Sequence, residues 1–309
     1  MSDLLGDAIM SNPEDLKTSE IWRKQPALLR GVFQIGDLRN FDRAKYALFV
    51  SQLPHMRVFV AGQSDSGGAP VARLVPRESA PDVFAHLTRS ALEYTVLLNQ
   101  VEKIDLDVRR IRKAMKVPHR WREDDIVVTY STPGSGIGYH AGHEDAIIVQ
   151  AAGRRRWRVW AADAVDPLSR RRILLSALGD VYSLQKSCDE PLIDCELGPG
   201  DALYIPPFCP HEGTTVDESI SIALGWRGVA YFHLIDACKD LISPPANAQS
   251  EELPQPFFEL IHDFEEKAGS TLDLANSVVS RLVEIGCSVS NPLALSARLE
   301  ILFRSQAAE

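Results

Sequence analysis

Apolar and polar residues alternate in short runs through the middle of the chain, the pattern of strands with one buried face. Ile126–Tyr130, Asp145–Gln150, Trp157–Trp160, Ala202–Ile205 and Ser219–Leu224 are the candidate strands between Asp125 and Trp226. Pro133-Gly134-Ser135-Gly136 and Leu197-Gly198-Pro199-Gly200-Asp201 separate them with residues suited to turns. Upstream, Ile21–Gly31 leads into a strand and the cluster Val58–Val60 predicts another, with a loop over Gly62–Gly68. From about 82 to 116 the period lengthens. Phe84, Leu87, Leu92, Val96, Leu97, Val101 and Ile104 recur at intervals near three, four and five, which predicts a helical insertion closed by Pro118. Many short strands with Gly and Pro turns predict a barrel or double-sheet jelly roll, and the helical insertion argues against a pure β sandwich.

Beyond Trp226 the pattern changes again. Residues 244–250 are a linker by composition, and Phe257, Phe258, Leu260, Ile261 and Phe264 begin a run of amphipathic helices. Leu272, Leu274, Val278, Val279, Leu282, Val283 and Ile285 continue it. Residues 1–20 read as a loose arm, 21–230 as the β-rich domain and 231–309 as a helical region that packs on the barrel or pairs with another copy.

Length and charge narrow the function classes. With 309 residues the chain can bury a full core, and a net charge of -9 disfavours non-specific binding to nucleic acid, which needs Lys and Arg against phosphates. A basic peptide remains a suitable partner, because opposite charges steer encounter. The 5 cysteines (Cys188, Cys195, Cys209, Cys238 and Cys287) form no CxxC pair and read as reduced thiols. Cys209 precedes His211 by two positions and is read as a packed hydrophobe rather than a ligand. No apolar run follows a basic start and no segment reaches membrane-spanning length, so the expected setting is cytoplasmic, with no membrane partner.

Three stretches carry a resemblance. Trp22 with Pro26-Ala27-Leu28-Leu29-Arg30-Gly31 is the first. Tyr130 through His140, continuing to Gln150 and Gly153-Arg154-Arg155-Arg156-Trp157-Arg158-Val159, is the second. Gly198-Pro199-Gly200-Asp201-Ala202-Leu203-Tyr204-Ile205-Pro206-Pro207, leading to His211-Glu212-Gly213, is the third. Together they resemble the JmjC-type cupin oxygenases, most closely the bacterial ribosomal-protein arginine hydroxylases. The resemblance covers about residues 20–230 and implies a mainly β fold with helices, a double-stranded β-helix (jelly-roll, cupin) followed by a helical dimerisation region. The winged-helix segment those enzymes often append is not expected within this chain.

The residues read consistently with that chemistry. Two imidazoles and a carboxylate make the facial triad of non-haem Fe(II) oxygenases, and arginine suits the distal carboxylate of a 2-oxo acid because its fork binds it bidentately. The resemblance implies His140 and His211 as metal ligands and Arg155 as the anchor for 2-oxoglutarate. It places Tyr130, Ser131 and Ser221 along the cofactor pocket, and Asp145 where a ligand histidine would be oriented. Strand alternation sends Arg154 and Arg156 to one face and Arg155 to the other. His55, His86 and His119 are read as structural.

Gly142 departs from the pattern. The family has His-x-Asp where this chain has His140-Ala141-Gly142. A shifted register, His143-Glu144-Asp145, spells the motif, but the intervals to Gln150 and Gly153 fit when counted from His140. Three readings stay open. Chloride fills the position, as in the 2-oxoglutarate halogenases that this change resembles. Glu144 or His143 reaches the metal and hydroxylation is kept. Or metal affinity is lost and the domain only binds. A glycine that marks a strand bulge is the structural alternative. The expected function is Fe(II)- and 2-oxoglutarate-dependent oxidation of an unactivated C–H bond, by hydroxylation or halogenation, with a silent binding module as the rival. The expected substrate is a peptide or protein side chain, or a small molecule or carrier-bound amino acid. The expected assembly is a homodimer.

Overall fold

The computed structural model describes residues 21–33, 56–62, 71–74, 93–114, 120–175, 184, 186, 189–245, 253–261 and 268–305. The readings of residues 1–20, 63–68, 82–92 and 246–250, and of His55, His86, His119 and Cys188, lie outside them. The chain divides into two compact units. The first comprises Met1–Val117, Asp124–Asp166 and Gly179–Gly225, and the second comprises Pro118–Glu123, Pro167–Leu178 and Trp226–Glu309.

The first unit is two antiparallel sheets. Its strands are β1 (Ala27–Leu29), β2 (Met56–Gly62), β3 (Val71–Leu74), β4 (Tyr94–Leu98), β5 (Glu123–Ser131), β6 (Asp145–Ala152), β7 (Arg155–Val159), β8 (Ile193–Leu197), β9 (Ala202–Ile205), β10 (His211–Thr215) and β11 (Ser219–Trp226). The larger sheet runs β1-β9-β6-β11-β5-β4-β2-β3 and the smaller β10-β7-β8. From β6 to β11 the chain passes repeatedly between the sheets, the winding of a double-stranded β-helix. Leu28, Ile148, Leu203 and Ile205 of the larger sheet pack with Trp157, Val159 and Leu197 of the smaller to make the core. Cys209 joins this cluster, as a packed hydrophobe should.

Two corners position the chemistry. Gly153, between β6 and β7, has φ +63 and sits where an added Cβ would overlap the Glu218 carbonyl. Only glycine turns the chain there from one sheet to the other. Gly200 (φ +95) makes the β8–β9 turn, and Asp201 secures it by accepting from Gly198 N at 3.0 Å. The N-terminal motif clasps the same turn. Arg30 pairs with Asp201 at 2.6 Å, Phe33 N donates to the Gly200 carbonyl, and Trp22 stacks on Tyr204 with centroids 4.8 Å apart.

The helical expectation over residues 82–116 is corrected in part. Tyr94–Leu98 is a strand with all five residues buried, pairing with β2 and β5, while helix α1 begins at Leu106 and ends at Ala114. A continuous apolar run, Tyr-Thr-Val-Leu-Leu, has no period of its own, and a central strand buries both faces. Two strands of the smaller sheet, β8 and β10, also escaped a prediction of their extents.

The second unit is mainly helical: α2 (Pro167–Leu175), α3 (Tyr231–Ala237), α4 (Thr271–Glu284) and α5 (Pro292–Ser305), with a short pairing of β12 (Ile242–Ser243) and β13 (Ser288–Val289). Ser270 caps α4 by accepting from Asp273 N at 3.1 Å. Helices α4 and α5 pack together, and Leu274, Val278 and Leu282 of one and Leu295, Leu299 and Phe303 of the other are all buried. The aromatic run at 257–258 lies in a 3-10 turn (Gln255–Phe258) rather than an α-helix. Pro256 sits in its first turn, where a missing N–H costs no helix bond, and the extended backbone of Glu259 (φ -73, ψ 141) ends it after one turn.

Candidate active site

His140 and His211 come from segments far apart in sequence and meet as directly opposed residues. Each backbone N–H donates to the other's carbonyl, His140 N to His211 O at 3.0 Å and His211 N to His140 O at 2.8 Å. A doubly bonded antiparallel pair puts both side chains on one face, and the ring centroids lie 4.2 Å apart at 60°. His140 is therefore held by a single bridge, not by a regular strand. Gly134 N donates to Thr215 O at 2.8 Å and Thr215 N to Ser135 O at 3.0 Å, so residues 134–140 run along the free edge of β10.

Each imidazole is oriented in the same way. The Nδ1 of His140 bonds the Gly138 carbonyl and that of His211 bonds the Cys209 carbonyl, both at 2.9 Å. A carbonyl only accepts, so Nδ1 carries the proton and Nε2 carries the lone pair, the tautomer a metal needs. Burial, the facing His140 and Arg155 push the His211 imidazole well below its ordinary range, although the Cys209 carbonyl opposes this. Neutral imidazole is the ligating form.

The register of β7 and β10 places Arg155. Val159 lies opposite His211, Trp157 opposite Gly213 and Arg155 opposite Thr215. Alternation buries Arg155, Trp157 and Val159 and leaves Arg156 outside. The outer arginines are all paired: Arg154 with Asp217 and Glu196, Arg156 with Asp194, and Arg158 with Glu212. Arg155 is only 2% exposed and makes no ion pair among the described residues. One Nη donates to the Gly213 carbonyl at 3.1 Å, the guanidinium lies 4.8 Å from the Trp157 ring centroid, and the buried Nε has no hydrogen-bond partner among the described residues. Burial lowers its pKa to about 10, which leaves it cationic at neutral pH.

Glycines make the room for this cation. A Cβ at Gly213 would meet Arg155 Nε at 2.6 Å and the Trp157 ring at 2.9 Å, and one at Gly136 would overlap the Gly213 carbonyl. A buried guanidinium with an unsatisfied donor is costly unless an anion joins it. The Oγ1 of buried Thr215, without a hydrogen-bond partner among the described residues, belongs to the residue opposite Arg155 in the β7–β10 register. Sequence reading missed Gly136, Gly213 and Thr215 as shaping residues, although counting by twos from His211 along β10 would have found the last two.

The other expected site residues are placed as follows. Tyr130 and Ser131 end β5, both buried. The Ser131 hydroxyl joins Thr95 at 3.0 Å, and Thr95 donates to Ser135 at 3.1 Å, a buried hydroxyl cluster the sequence did not announce. Ser221 donates to Gln150 Oε1 at 2.8 Å. Asp145 accepts from Tyr204 OH at 2.7 Å, while backbone carbonyls hold the Nδ1 atoms of both histidines. Glu144 lies 3.6 Å from His143, and its carboxylate covers Gly142, where an added Cβ would overlap Oε2. Among the described residues no three His, Cys, Asp or Glu side chains are gathered as a metal cage.

Known proteins resemble this chain in sequence and in fold. The chain is 33% identical over 132 residues to the ribosomal protein uL16 3-hydroxylase of Escherichia coli K12, a match covering 40% of this chain and 30% of that protein. It is 25% identical over 219 residues to a probable ribosomal oxygenase of Haemophilus influenzae, covering 70% of this chain and 50% of that protein. These matches thus span half or less of each relative's length. The ribosomal oxygenase YcfD from Escherichia coli, solved in complex with cobalt and 2-oxoglutarate, shares the fold with a TM-score of 0.55 at 24% identity, over 87% of this chain and 70% of that one. Residues 110–234 match the family described as JmjC domain. That match takes in both opposed histidines and the inward arginine, on a chain folded as a double-stranded β-helix.

Proposed function

We propose that this chain is an Fe(II)- and 2-oxoglutarate-dependent oxygenase that hydroxylates an unactivated C–H bond of a protein side chain. The observation that carries the reading is the pairing of two facing imidazoles, both with Nε2 as the lone-pair nitrogen, with a buried arginine that has no anionic partner among the described residues. His140 and His211 would hold the iron, and Arg155 would hold the distal carboxylate of 2-oxoglutarate. When bound, iron and 2-oxoglutarate together supply the O₂-activating chemistry. The chain's own part is to fix both imidazole tautomers through Gly138 and Cys209, to anchor the co-substrate in a dry pocket, and to exclude water with Trp157 and the core behind it.

The protein substrate is inferred from the relatives, one of which is a ribosomal protein hydroxylase. A chain of net charge -9 favours encounter with a basic protein. Hydroxylation is preferred to halogenation because the carboxylate of Glu144 lies over Gly142. The test is anaerobic titration of the protein with Fe(II) and 2-oxoglutarate, followed by O₂ and a panel of ribosomal proteins. Succinate release with a substrate mass gain of one oxygen atom supports the reading. A chlorine gain that depends on chloride replaces it with halogenation. Failure to bind 2-oxoglutarate in the presence of metal reduces the domain to a binding module.

The reading extends to assembly as a homodimer through the helical unit. Leu293 and Ile301 on α5 are 85% and 67% exposed, and apolar side chains so placed suit an interface between copies. Light scattering of the native chain and of L293E/I301E checks this, with a dimer and a monomer expected respectively.

A further inference from the structure

We propose that Glu144 gives the metal the carboxylate that Gly142 lacks, by folding its side chain back over the glycine. This rests on the function proposed above and deepens it by naming the third protein ligand. Glu144 Oε2 stands 2.1 Å from where the first side-chain carbon of any other residue at position 142 would be, too close for both, and Glu144 Cδ is 3.4 Å from that point. The glycine is not there for its backbone: the positive-φ glycines are Gly31, Gly134, Gly138, Gly153, Gly200 and Gly286, and Gly142 is not one of them. Space for the glutamate is what the missing Cβ provides.

The other carboxylates near the two histidines in sequence are committed elsewhere. Asp145 is fully buried and bonded to Tyr204 at 2.7 Å. Glu212 is ion-paired to both Arg158 and Lys186, at 2.8 and 2.7 Å. Among the described residues the one ion pair of Glu144 is with His143 at 3.6 Å, its side chain 33% exposed, a pairing of little energetic weight. The two histidines and Glu144 are not gathered as a metal cage in the structure. Ligation therefore requires the Glu144 side chain to swing from its place over Gly142 towards them, and among the described residues this breaks nothing stronger than the His143 contact. Glutamate is one methylene longer than aspartate, which suits a ligand that starts two residues further along. A hard carboxylate beside two imidazoles completes the donor set that Fe(II) prefers.

The test is Co(II) binding by the full chain with 2-oxoglutarate present, read by calorimetry and by the visible absorption of the bound cobalt. E144A and E144Q are expected to weaken Co(II) by roughly tenfold or more and to alter the absorption band, since even indirect supporters of metal ligands cost that much. H143A is expected to bind as the native chain does. The double variant G142D/E144A, which moves the carboxylate back to position 142, is expected to regain native affinity. E144Q, nearly identical in shape to the native side chain, remains decisive if the double variant does not fold. Native affinity in E144A and E144Q overturns the proposal, as does chloride-dependent tightening of Co(II) in the native chain. A native chain that takes up no Co(II) sinks both this proposal and the function above, whereas native binding with no loss in E144Q sinks this one alone.

Discussion

Arg155 shows how one residue divides the roles of an otherwise uniform basic run. Its neighbours Arg154, Arg156 and Arg158 are neutralised by surface carboxylates, while Arg155 is buried with an unsatisfied Nε. Replacing it with Ala or Lys should remove a charge-assisted, bidentate contact worth about 1.5–3 kcal/mol. Calorimetric titration with 2-oxoglutarate and Co(II) should then show affinity lowered by about one to two orders of magnitude, with metal binding in the absence of 2-oxoglutarate retained. His140→Ala and His211→Ala should instead lose the metal, and 2-oxoglutarate binding with it. Conversely, Arg156→Ala, which removes only an exposed ion pair with Asp194, should leave both affinities unchanged. Alternation set Arg155 on the face opposite Arg154 and Arg156, and the family resemblance chose that face as the inward one. The place of the Glu144 carboxylate was not, because a flexible side chain in an irregular segment has no period to read.

Strands β7 and β10 set the spacing between metal ligand and anchor. His211 and Thr215 lie four residues apart on one face, and Arg155 opposite Thr215 reaches back across Gly213. Gly213→Ala should force Arg155 or the Trp157 ring aside, lowering stability by about 1–3 kcal/mol as overpacking does. Urea unfolding should show it, together with weaker 2-oxoglutarate binding. Gly153→Ala meets both a left-handed backbone and the Glu218 carbonyl, so a loss of about 1–3 kcal/mol is expected there without any direct contact with the site. At this scale the periodic strands of the middle region were readable. Strand β4 was not, since an unbroken apolar run fits a buried helix and a central strand alike.

Over the whole molecule, the first unit is tied together by contacts between its sequence extremes. Trp22, Arg23, Tyr204 and Asp145 form one chain: Trp22 stacks on Tyr204, Arg23 N donates to the Tyr204 hydroxyl at 2.8 Å, and that hydroxyl donates to Asp145 at 2.7 Å. Burial and the Asp145 charge hold the Tyr204 phenol well above its ordinary range, so it remains a donor. Surface ion pairs add a dependence on pH. Hydrogen bonds from Arg156 and Arg154 lower the Asp194 and Asp217 carboxyls below their ordinary 3.8. A lowered folded-state pKa contributes stability that is present above the unfolded value and lost as pH falls through the folded one. Urea midpoints should therefore fall below about pH 4, and by less in R154A/R156A. Among the described residues no helix is long and apolar enough to cross a membrane.

Local information in the chain was enough for the fold class and most strand positions, and for setting Arg155 apart from Arg154 and Arg156, because alternation and turn residues act over a few residues. The convergence of His140 on His211 and the glycine-lined bed of Arg155 arise from backbone pairing between segments some sixty to seventy residues apart. No short window carries such pairing, since its register is set by how the two sheets close over a shared core.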